Sequence, residues 1–275
     1  MDSSKLTELK EIARTIRCDI VKMVHEAGSG HPGAALSSVE IVTALYFHTI
    51  NIDPANPDWQ ERDRFILSKG HACPVHYAAL ARKGYFGLEE LGKLRRINCK
   101  LQGHPDMNKT PGVDMTAGSL GNGLSCRGGM ALAAKMDNLP TRVFVVLGDG
   151  EIQEGAVWEG AMTAAQYKLD NLVAIIDNNH LQLDGYTKDV MSTDPLPDKW
   201  RSFRWNVIEV DGHDIEALVD AFEQAKMTEG KPTVIIAETV KGKGVSFMED
   251  QCDWHGRWPT DEETHKALAE LGEAS

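Results

Sequence analysis

The chain has 275 residues, of which 42% are hydrophobic and 25% are charged, as in an ordinary globular protein. Its formal net charge of −12 argues against a nucleic-acid-binding protein, since contact with many phosphates needs clustered lysine and arginine. The five cysteines are widely spread and form no C-x-x-C pair, which favours free thiols in a reducing compartment over disulfides or a zinc site.

Sequence pattern argues against two further classes of protein. No apolar run approaches the length that crosses a bilayer, so we expect no membrane association. The N-terminus lacks the apolar segment of a signal peptide, so we expect a cytoplasmic protein.

The first half of the chain is predicted to begin with helices. Apolar residues at three- and four-residue spacing predict an amphipathic helix over residues 4–26, which Gly28 and Gly30 end. Next come a helix over "SSVEIVTALYFHT", a strand at "RFILS" and a helix over residues 75–82. A long loop that contains Gly and Pro follows at residues 98–124. A loop of that length inside a compact domain is usually functional or disordered.

The second half contains the clearest strands. A helix over residues 125–136 is rich in Ala and Met, and we expect it to be buried on most sides. The remaining elements are predicted as strand 142–147, helix 154–167, strand 172–177, strand 207–210, helix 215–228, strand 233–239 and a terminal helix. Because helices alternate with strands that are apolar on both faces, the predicted fold class is α/β, one domain over residues 1–275 with a parallel sheet flanked by helices.

An acidic residue follows the first clear strand of this half. Residues "VFVVLGDG" lead from five apolar side chains into Asp149, and the next strand ends in "IIDNN", which includes Asn179. Because the carboxyl ends of parallel strands meet at one edge of the sheet, where ligands bind, we expect these two side chains to lie close together. An Asp-Gly turn alone has an ordinary structural explanation, but the second motif makes a binding site the better hypothesis.

The residue types at this edge suit a hard divalent cation. A carboxylate, an amide oxygen and a backbone carbonyl form part of an oxygen shell for Mg²⁺ or Ca²⁺, and the phosphate oxygens of a ligand could complete it. Neither His nor Cys lies among them, which argues against zinc. Gly150 would allow the backbone to approach a phosphate, and the N-terminus of the following helix favours negative charge.

These motifs carry a family resemblance. "GDGEIQEG" and "IIDNN" resemble the G-D-G…N-N signature of thiamine diphosphate enzymes. The chain is further similar to the transketolase family in five motifs that occur in the family's order: "SGHPGAALS", "DRFILSKGHACP", "QGHPD", "TAGSLGNGLSCRGGMALAAK" and "DWHG". The resemblance implies the thiamin diphosphate-binding fold. It also implies a thiamine diphosphate- and metal-dependent transfer of a two-carbon ketol unit from a ketose phosphate to an aldose phosphate.

The resemblance also implies cofactor-binding residues. Asp149, Asn179 and the carbonyl of Leu181 would hold the metal. The residues that would contact the cofactor itself or lie in the loop over it are His71, Gly118, Leu120, Gly150 and His255. Glu154 matches a glutamate that is buried between the two cofactor sites of the family's dimer.

Histidines are the implied catalytic residues. His31, His71 and His104 would surround the reactive carbon of the cofactor and bind sugar hydroxyls, with His255 beside the diphosphate. Since histidine titrates near neutrality, we expect these rings to exchange protons with hydroxyls. Each of the first three follows a glycine, so we expect little side-chain bulk around its ring.

Other polar residues have simpler explanations. We interpret several further histidines as surface or core residues, namely His25, His48, His76, His180 and His213. Glu151 and Glu159 are interpreted as first-turn residues favoured by the helix dipole. Ser119 and Asn122 replace the Pro and Gln that are usual in the family, and the sequence departs from the commoner form after Leu36, so the sugar preference stays open.

Full-length transketolases are more than twice as long as this chain. We therefore expect the chain to be the N-terminal subunit of a split transketolase, whose pyrimidine-binding and C-terminal domains lie on a separate subunit. The resemblance implies an α₂β₂ heterotetramer with the cofactor between chains. Two alternatives are the α subunit of a 2-oxoacid dehydrogenase E1 and a non-catalytic cofactor-binding subunit.

Overall fold

Five parallel strands form the centre of the chain, and the computed structural model describes residues 1–273 around them. The strands are β1 (Arg64–Leu67), β2 (Val143–Gly148), β3 (Leu172–Asn178), β4 (Asn206–Asp211) and β5 (Thr233–Glu238). They lie in the order β1-β2-β3-β5-β4, and every neighbouring pair is parallel. The predicted parallel sheet is therefore confirmed.

Helices cover both faces of this sheet. They are α1 (Ser3–Ala27), α2 (Pro32–Leu36), α3 (Val39–Ala44), α4 (Cys73–Lys83), α5 (Asn122–Met136), α6 (Gly155–Gln166), α7 (Thr187–Val190), α8 (Leu196–Ser202), α9 (Ile215–Met227) and α10 (Asp261–Glu270). Helix α3 continues as one π-helical segment, Leu45–Thr49. None of the helices within residues 1–273 combines the length and the apolar composition that crossing a membrane requires.

Alternating side chains of the strands divide the interior into two cores. In β2, Phe144 and Val146 belong to one buried cluster, whereas Val145 and Leu147 belong to the other. Helices α1, α3, α4 and α9 contribute to the first core, and α5, α6 and α8 contribute to the second. Both faces of each central strand are covered, so most residues of these strands are apolar, as is usual for parallel sheets.

Most predicted elements agree with the structure to within about three residues. Helix α1 begins after Asp2, whose side chain accepts a hydrogen bond from the Lys5 N–H at 2.8 Å, and ends at Gly28, which is left-handed with φ of 60°. Helices α7 and α8 were missed, because we predicted no element between the strands 172–177 and 207–210. Their sequences are too short to show a helical period, and α8 is anchored by one buried side chain, Trp200.

Helix α5 differs from the expectation that it is buried on most sides. Leu124, Arg127 and Ala131 are buried, but Cys126 and Gly129 lie on an exposed face of the same helix. Small residues carry no information about burial, because they fit a packed interior and an exposed surface equally well. The expectation was therefore wrong for this chain, and one face of α5 remains open.

Arg127 is a buried cation within this helix. Its side chain is fully buried, and Nη1 lies 3.1 Å from the sulfur of Met130. Nε and Nη2 have no hydrogen-bond partner among the described residues. Burial lowers the pKa of Arg127 to about 9, and the charge of Asp114 opposes that change only in part. The chain thus holds an uncompensated charge in its core.

Replacing Arg127 with Met should stabilise the isolated chain by about 1–4 kcal/mol, since it removes a buried charge and keeps the volume. The folded-state pKa lies below the ordinary value, so the destabilisation is complete below pH 9 and declines above it. Urea unfolding at pH 7 measures the full gain. As a control, Arg62→Met removes the cation that donates to Asp114 at 2.5 Å and should destabilise the chain. A loss of stability in Arg127→Met would contradict this account.

Candidate active site at the carboxyl edge of the sheet

A cavity of about 310 Å³ opens where four strands end. Residues that follow β1, β2, β3 and β5 line it, because parallel strands present their carboxyl ends at the same edge. These residues are Lys69, His71, Asp149, Gly150, Asn179, Leu181 and Lys241. Leu120, Glu154 and His255 complete much of the wall. Most of the site residues predicted from the sequence therefore share one cavity.

Asp149 and Asn179 meet through the pairing of β2 with β3. Gly148 lies opposite Asp177 in the sheet, so the residues after each strand emerge side by side. The side-chain amide of Asn179 donates to Asp177 Oδ2 at 3.0 Å, which fixes its nitrogen on that side. Its Oδ1 accepts a hydrogen bond from the Leu181 N–H at 3.1 Å, so the amide oxygen is held beside the turn that carries Leu181.

The carboxylate of Asp149 is incompletely satisfied. Oδ1 accepts a hydrogen bond from the Gly150 N–H at 2.8 Å, but the buried Oδ2 has no partner within residues 1–273. Burial, together with the nearby charge of Asp177, raises the pKa of Asp149 to about 7. A divalent cation bound to this oxygen, to the Asn179 amide oxygen and to the Leu181 carbonyl would satisfy the orphaned atom. The donors present thus fit Mg²⁺ or Ca²⁺.

Asp177 is a buried carboxylate that joins the elements around the cavity. It accepts hydrogen bonds from Ser37 Oγ at 2.6 Å, from Thr239 Oγ1 at 2.5 Å and from Asn179, and it forms an ion pair with Lys69. Burial alone would raise the pKa of Asp177, but Lys69 and these hydroxyl donors outweigh burial and lower it. Asp177 therefore remains ionised in the core and holds Asn179 in place.

Two buried lysines of the cavity were missed by the sequence analysis. Lys69 donates to the Ala34 carbonyl at 2.9 Å as well as to Asp177. Lys241 donates to His255 Nδ1 at 3.0 Å and lies 3.5 Å from the Leu181 carbonyl oxygen. Burial lowers the pKa of Lys241. Lys241 follows strand β5, so the strand-end argument that identified Asp149 could have identified it too.

Three of the predicted histidines form one cluster. The ring centroids of His31 and His71 are 5.2 Å apart, those of His31 and His255 are 5.5 Å apart, and those of His71 and His255 are 5.1 Å apart with the rings stacked. The expectation of little side-chain bulk around His31 and His71 was wrong, because each ring packs against its neighbours.

These rings do not titrate near neutrality as expected. Burial, with smaller effects from neighbouring cations and rings, lowers the pKa of His31 and of His255 to about 4. The pKa of His71 is lowered well below its ordinary value for the same reasons, and that of His104 is lowered by burial and by Arg95. All four imidazoles are therefore neutral at pH 7, and each offers one donor and one acceptor nitrogen.

His104 lies exposed on the long loop and is not among the residues that line the cavity. The loop takes a defined path, since the Tyr77 hydroxyl donates to the Gln102 carbonyl at 2.9 Å and the Ala117 N–H donates to the Pro105 carbonyl at 2.9 Å. Gly118 has φ of 152°, and a side chain there would lie about 3.5 Å from the His104 ring. The loop thus places His104 and Gly118 together beside the histidine cluster.

The two glutamates of "GDGEIQEG" occupy different environments. Glu151 is buried and accepts hydrogen bonds from the Gly121 N–H at 2.9 Å, from the Gly148 N–H at 3.0 Å and from Ser68 Oγ. Glu151 does lie in the first turn of a short helical segment, Glu151–Gln153, but it is more than an ordinary first-turn residue, because it ties the long loop to the end of β2. Glu154 is exposed in the single chain, so its burial would need a second chain.

Two other histidines have structural contacts, as expected from their interpretation as surface or core residues. His76 is buried in the core, where its Nε2 lies 2.8 Å from the Tyr46 hydroxyl. His213 bridges the Glu40 carboxylate at 3.0 Å and the Val240 N–H at 2.8 Å. Neither lines the cavity.

Asp149→Asn should have opposite effects on stability and on metal binding. The unfolded carboxyl ionises near its ordinary pKa of 3.8 and the folded one near 7, so the metal-free chain loses stability as the pH rises between these values. The neutral amide avoids this loss and should stabilise the metal-free chain by on the order of 1–3 kcal/mol at pH 8, with little gain at pH 4. Thermal unfolding with a chelator, then with Mg²⁺ and thiamine diphosphate, measures both effects. The exposed Asp184→Asn is the control, and cation-dependent stabilisation of Asp149→Asn would contradict the assignment.

Asp177→Asn should cost about 3–5 kcal/mol, because it leaves Lys69 buried without its counter-charge. Asp170→Asn removes the partner of Lys135 in an ion pair that is largely exposed, so it should cost about 1 kcal/mol or less. Urea unfolding of both variants at the same pH tests the difference. Equal costs would show that the buried pair does not organise the site.

Comparison with known proteins identifies the family. The sequence model described as "Transketolase, thiamine diphosphate binding domain" matches residues 8–274. The chain is 48% identical over 269 residues to the 6-deoxy-6-sulfo-D-fructose transketolase subunit SqwG of Clostridium sp. (strain MSTE9), covering 98% of each chain. It is 46% identical over 265 residues to an apulose-4-phosphate transketolase subunit from Actinobacillus succinogenes, covering 96% of each chain.

Solved structures of longer transketolases have the same fold over this region. The transketolase of Campylobacter jejuni matches 99% of this chain with a TM-score of 0.93 and 34% identity, and that of Leishmania mexicana matches 96% with a TM-score of 0.91 and 32% identity. The chain spans 43% and 41% of those two proteins. The chain belongs to the transketolase family, in which it corresponds to the N-terminal, thiamine diphosphate-binding domain.

Proposed function

We propose that this transketolase subunit works with a second subunit and transfers a two-carbon ketol unit from a ketose to an aldose. The observation that carries the proposal is the buried, unpartnered Oδ2 of Asp149 in the wall of the cavity, beside Asn179 and Leu181. This group is costly in the metal-free chain, and a divalent cation that bridges the protein and a diphosphate would satisfy it.

The cofactor would be held mainly by residues at the strand ends. Asp149, Asn179 and the Leu181 carbonyl would hold Mg²⁺ or Ca²⁺, and Gly150, His71, His255 and Lys241 would contact the diphosphate, with Gly118 and Leu120 in the loop above it. The buried ammonium of Lys241 has no carboxylate partner within the described chain, so it suits an anionic ligand. When bound, thiamine diphosphate supplies the nucleophilic carbon and the electron sink for carbon–carbon cleavage.

The histidines would act on the sugar. Because their pKa values are depressed, His31, His71 and His104 remain neutral and can donate one hydrogen bond and accept one. Cleavage of the bond between the second and third carbons of a ketose removes the proton of the third hydroxyl, and an unprotonated ring nitrogen can accept it. His104 is exposed, so its ring is accessible to such a hydroxyl.

A second chain would complete the site. The cavity wall includes apolar side chains that are exposed in the single chain, Leu120 at 39% and Leu183 at 62%, with the exposed Glu154 beside them. The open face of α5 provides a further surface. We propose that a subunit with a pyrimidine-binding domain covers this side and that an α₂β₂ heterotetramer forms, with Glu154 buried near its centre.

The sugar is defined only as a class. Relatives of the same length are named for 6-deoxy-6-sulfo-D-fructose and for apulose-4-phosphate, so similar N-terminal subunits occur with different ketoses. Both named sugars carry a terminal anionic group. We propose a donor ketose with a phosphate or sulfonate at its far end, with the ketoses of the pentose phosphate pathway as the first to test.

The thiols support a proposal for the cellular compartment. None of the five cysteines forms a disulfide in the described part of the chain, and Cys18 and Cys73 are buried. This state is expected in a reducing compartment, so we propose a cytoplasmic enzyme.

The test is reconstitution with the proposed C-terminal subunit, to be sought in the reading frames beside the gene for this chain. Ketol transfer should need both subunits, thiamine diphosphate and Mg²⁺. His104→Ala should lower kcat/KM by about 10²–10⁴-fold, whereas His48→Ala, at an exposed position outside the cavity, should leave it unchanged. Turnover by this chain alone would contradict the split enzyme. Full activity of His104→Ala together with His31→Ala would show a non-catalytic subunit.

A further inference from the structure

Arg95 lies between the two loops that carry His31 and His104. It follows the short helical turn Leu88–Lys93, and its backbone is left-handed with φ of 60°, which is uncommon for a residue with a side chain. Its N–H donates to the Leu101 carbonyl at 2.9 Å and closes the turn. This backbone directs the guanidinium toward the histidine cluster.

The guanidinium contacts both loops through its two terminal nitrogens. Nη1 donates to Ser29 Oγ at 3.0 Å, two residues before His31. Nη2 lies 3.4 Å from His31 Nδ1 and 3.4 Å from the carbonyl oxygen of Gly103, the residue before His104. A side chain at position 103 would approach the guanidinium carbon to about 3.1 Å, so only glycine allows this contact without displacement.

We propose that Arg95 is a positioning residue that fixes the tautomer of His31 and couples the His31 loop to the His104 loop. A guanidinium only donates hydrogen bonds, so Nδ1 of His31 must be the acceptor and Nε2 must carry the proton. Nε2 faces Gly256 at the His255 side of the cluster, as a side chain placed there would lie 4.0 Å from it. The N–H of His31 is thereby directed toward the segment that carries His255 and Gly256.

The charge of Arg95 also disfavours protonation of Nδ1 of His31. It is the largest effect after burial that lowers the pKa of His31, and it also lowers the pKa of His104. The other groups that face His31 are His71, His104, His255 and Lys241, and none is a carboxylate that could stabilise a protonated ring. A neutral His31 with a defined donor can bind a substrate oxygen without first losing a proton. This consequence rests on the proposed function, but the tautomer itself does not.

The test uses the full chain with ¹⁵N-labelled histidine, followed by NMR from pH 4 to 8, with His31→Gln to assign the signals. In the native chain His31 should have an unprotonated Nδ1 and a protonated Nε2 at pH 7. Arg95→Met should raise the His31 pKa from about 4 toward its ordinary 6.5 and mix the tautomers. Arg95→Lys should keep the low pKa in part but lose the single tautomer, because an ammonium cannot bridge both loops as a planar fork does.

Arg96→Met is the matched control, since Arg96 is exposed and donates to the Glu26 carbonyl at 2.8 Å instead. It should leave the His31 signals unchanged. In the reconstituted enzyme, Arg95→Met should shift the acidic limb of the pH–kcat profile upward. A native His31 protonated on Nδ1 overturns the proposal, as does an Arg95→Met variant that folds normally with unchanged His31 signals. If the His31 signals change as expected in Arg95→Met but the reconstituted complex shows no ketol transfer, only the proposed function is contradicted.

Discussion

The buried carboxylate of Asp177 is the interaction on which the site depends. It lies at the end of the central strand β3. It accepts hydrogen bonds from Lys69 after β1, from Thr239 after β5 and from Ser37 after α2. Parallel strands bring these segments to one edge, but do not orient the side chains that emerge there. Asp177 does so by accepting donors from several directions at once, and one of these donors is the amide of Asn179.

Asp177 has hydrogen-bond partners for both oxygens, but other polar groups of the cavity are penalised by burial. Asp149 has one orphaned oxygen and a raised pKa, Lys241 has a lowered pKa, and the clustered histidines are held neutral. The first two states are unfavourable in the isolated chain, because burial penalises the charged forms of Asp149 and Lys241. A cation beside Asp149 and an anion beside Lys241 would relieve both, as expected for the metal and diphosphate proposed above.

Part of the surface around the cavity is exposed in the single chain. Glu154 and Leu120 line the cavity yet remain exposed, and the face of α5 that carries Cys126 and Gly129 is open. Longer transketolases match this chain over about two fifths of their length. Within the described residues, the sheet of the thiamine diphosphate-binding domain is covered on both faces, whereas several residues that line its cavity are exposed.

The sequence by itself determined most of the elements and the identity of most residues around the cavity. Apolar periodicity located the strands, and the motifs around Asp149 and Asn179 indicated which edge binds a ligand. It did not reveal Arg95 as the partner of His31, the burial of Glu151 or the neutral state of the histidines. Those features depend on contacts between segments that are distant in the chain. A pKa and a tautomer are set by what surrounds a group in three dimensions, and only the tertiary structure decides that.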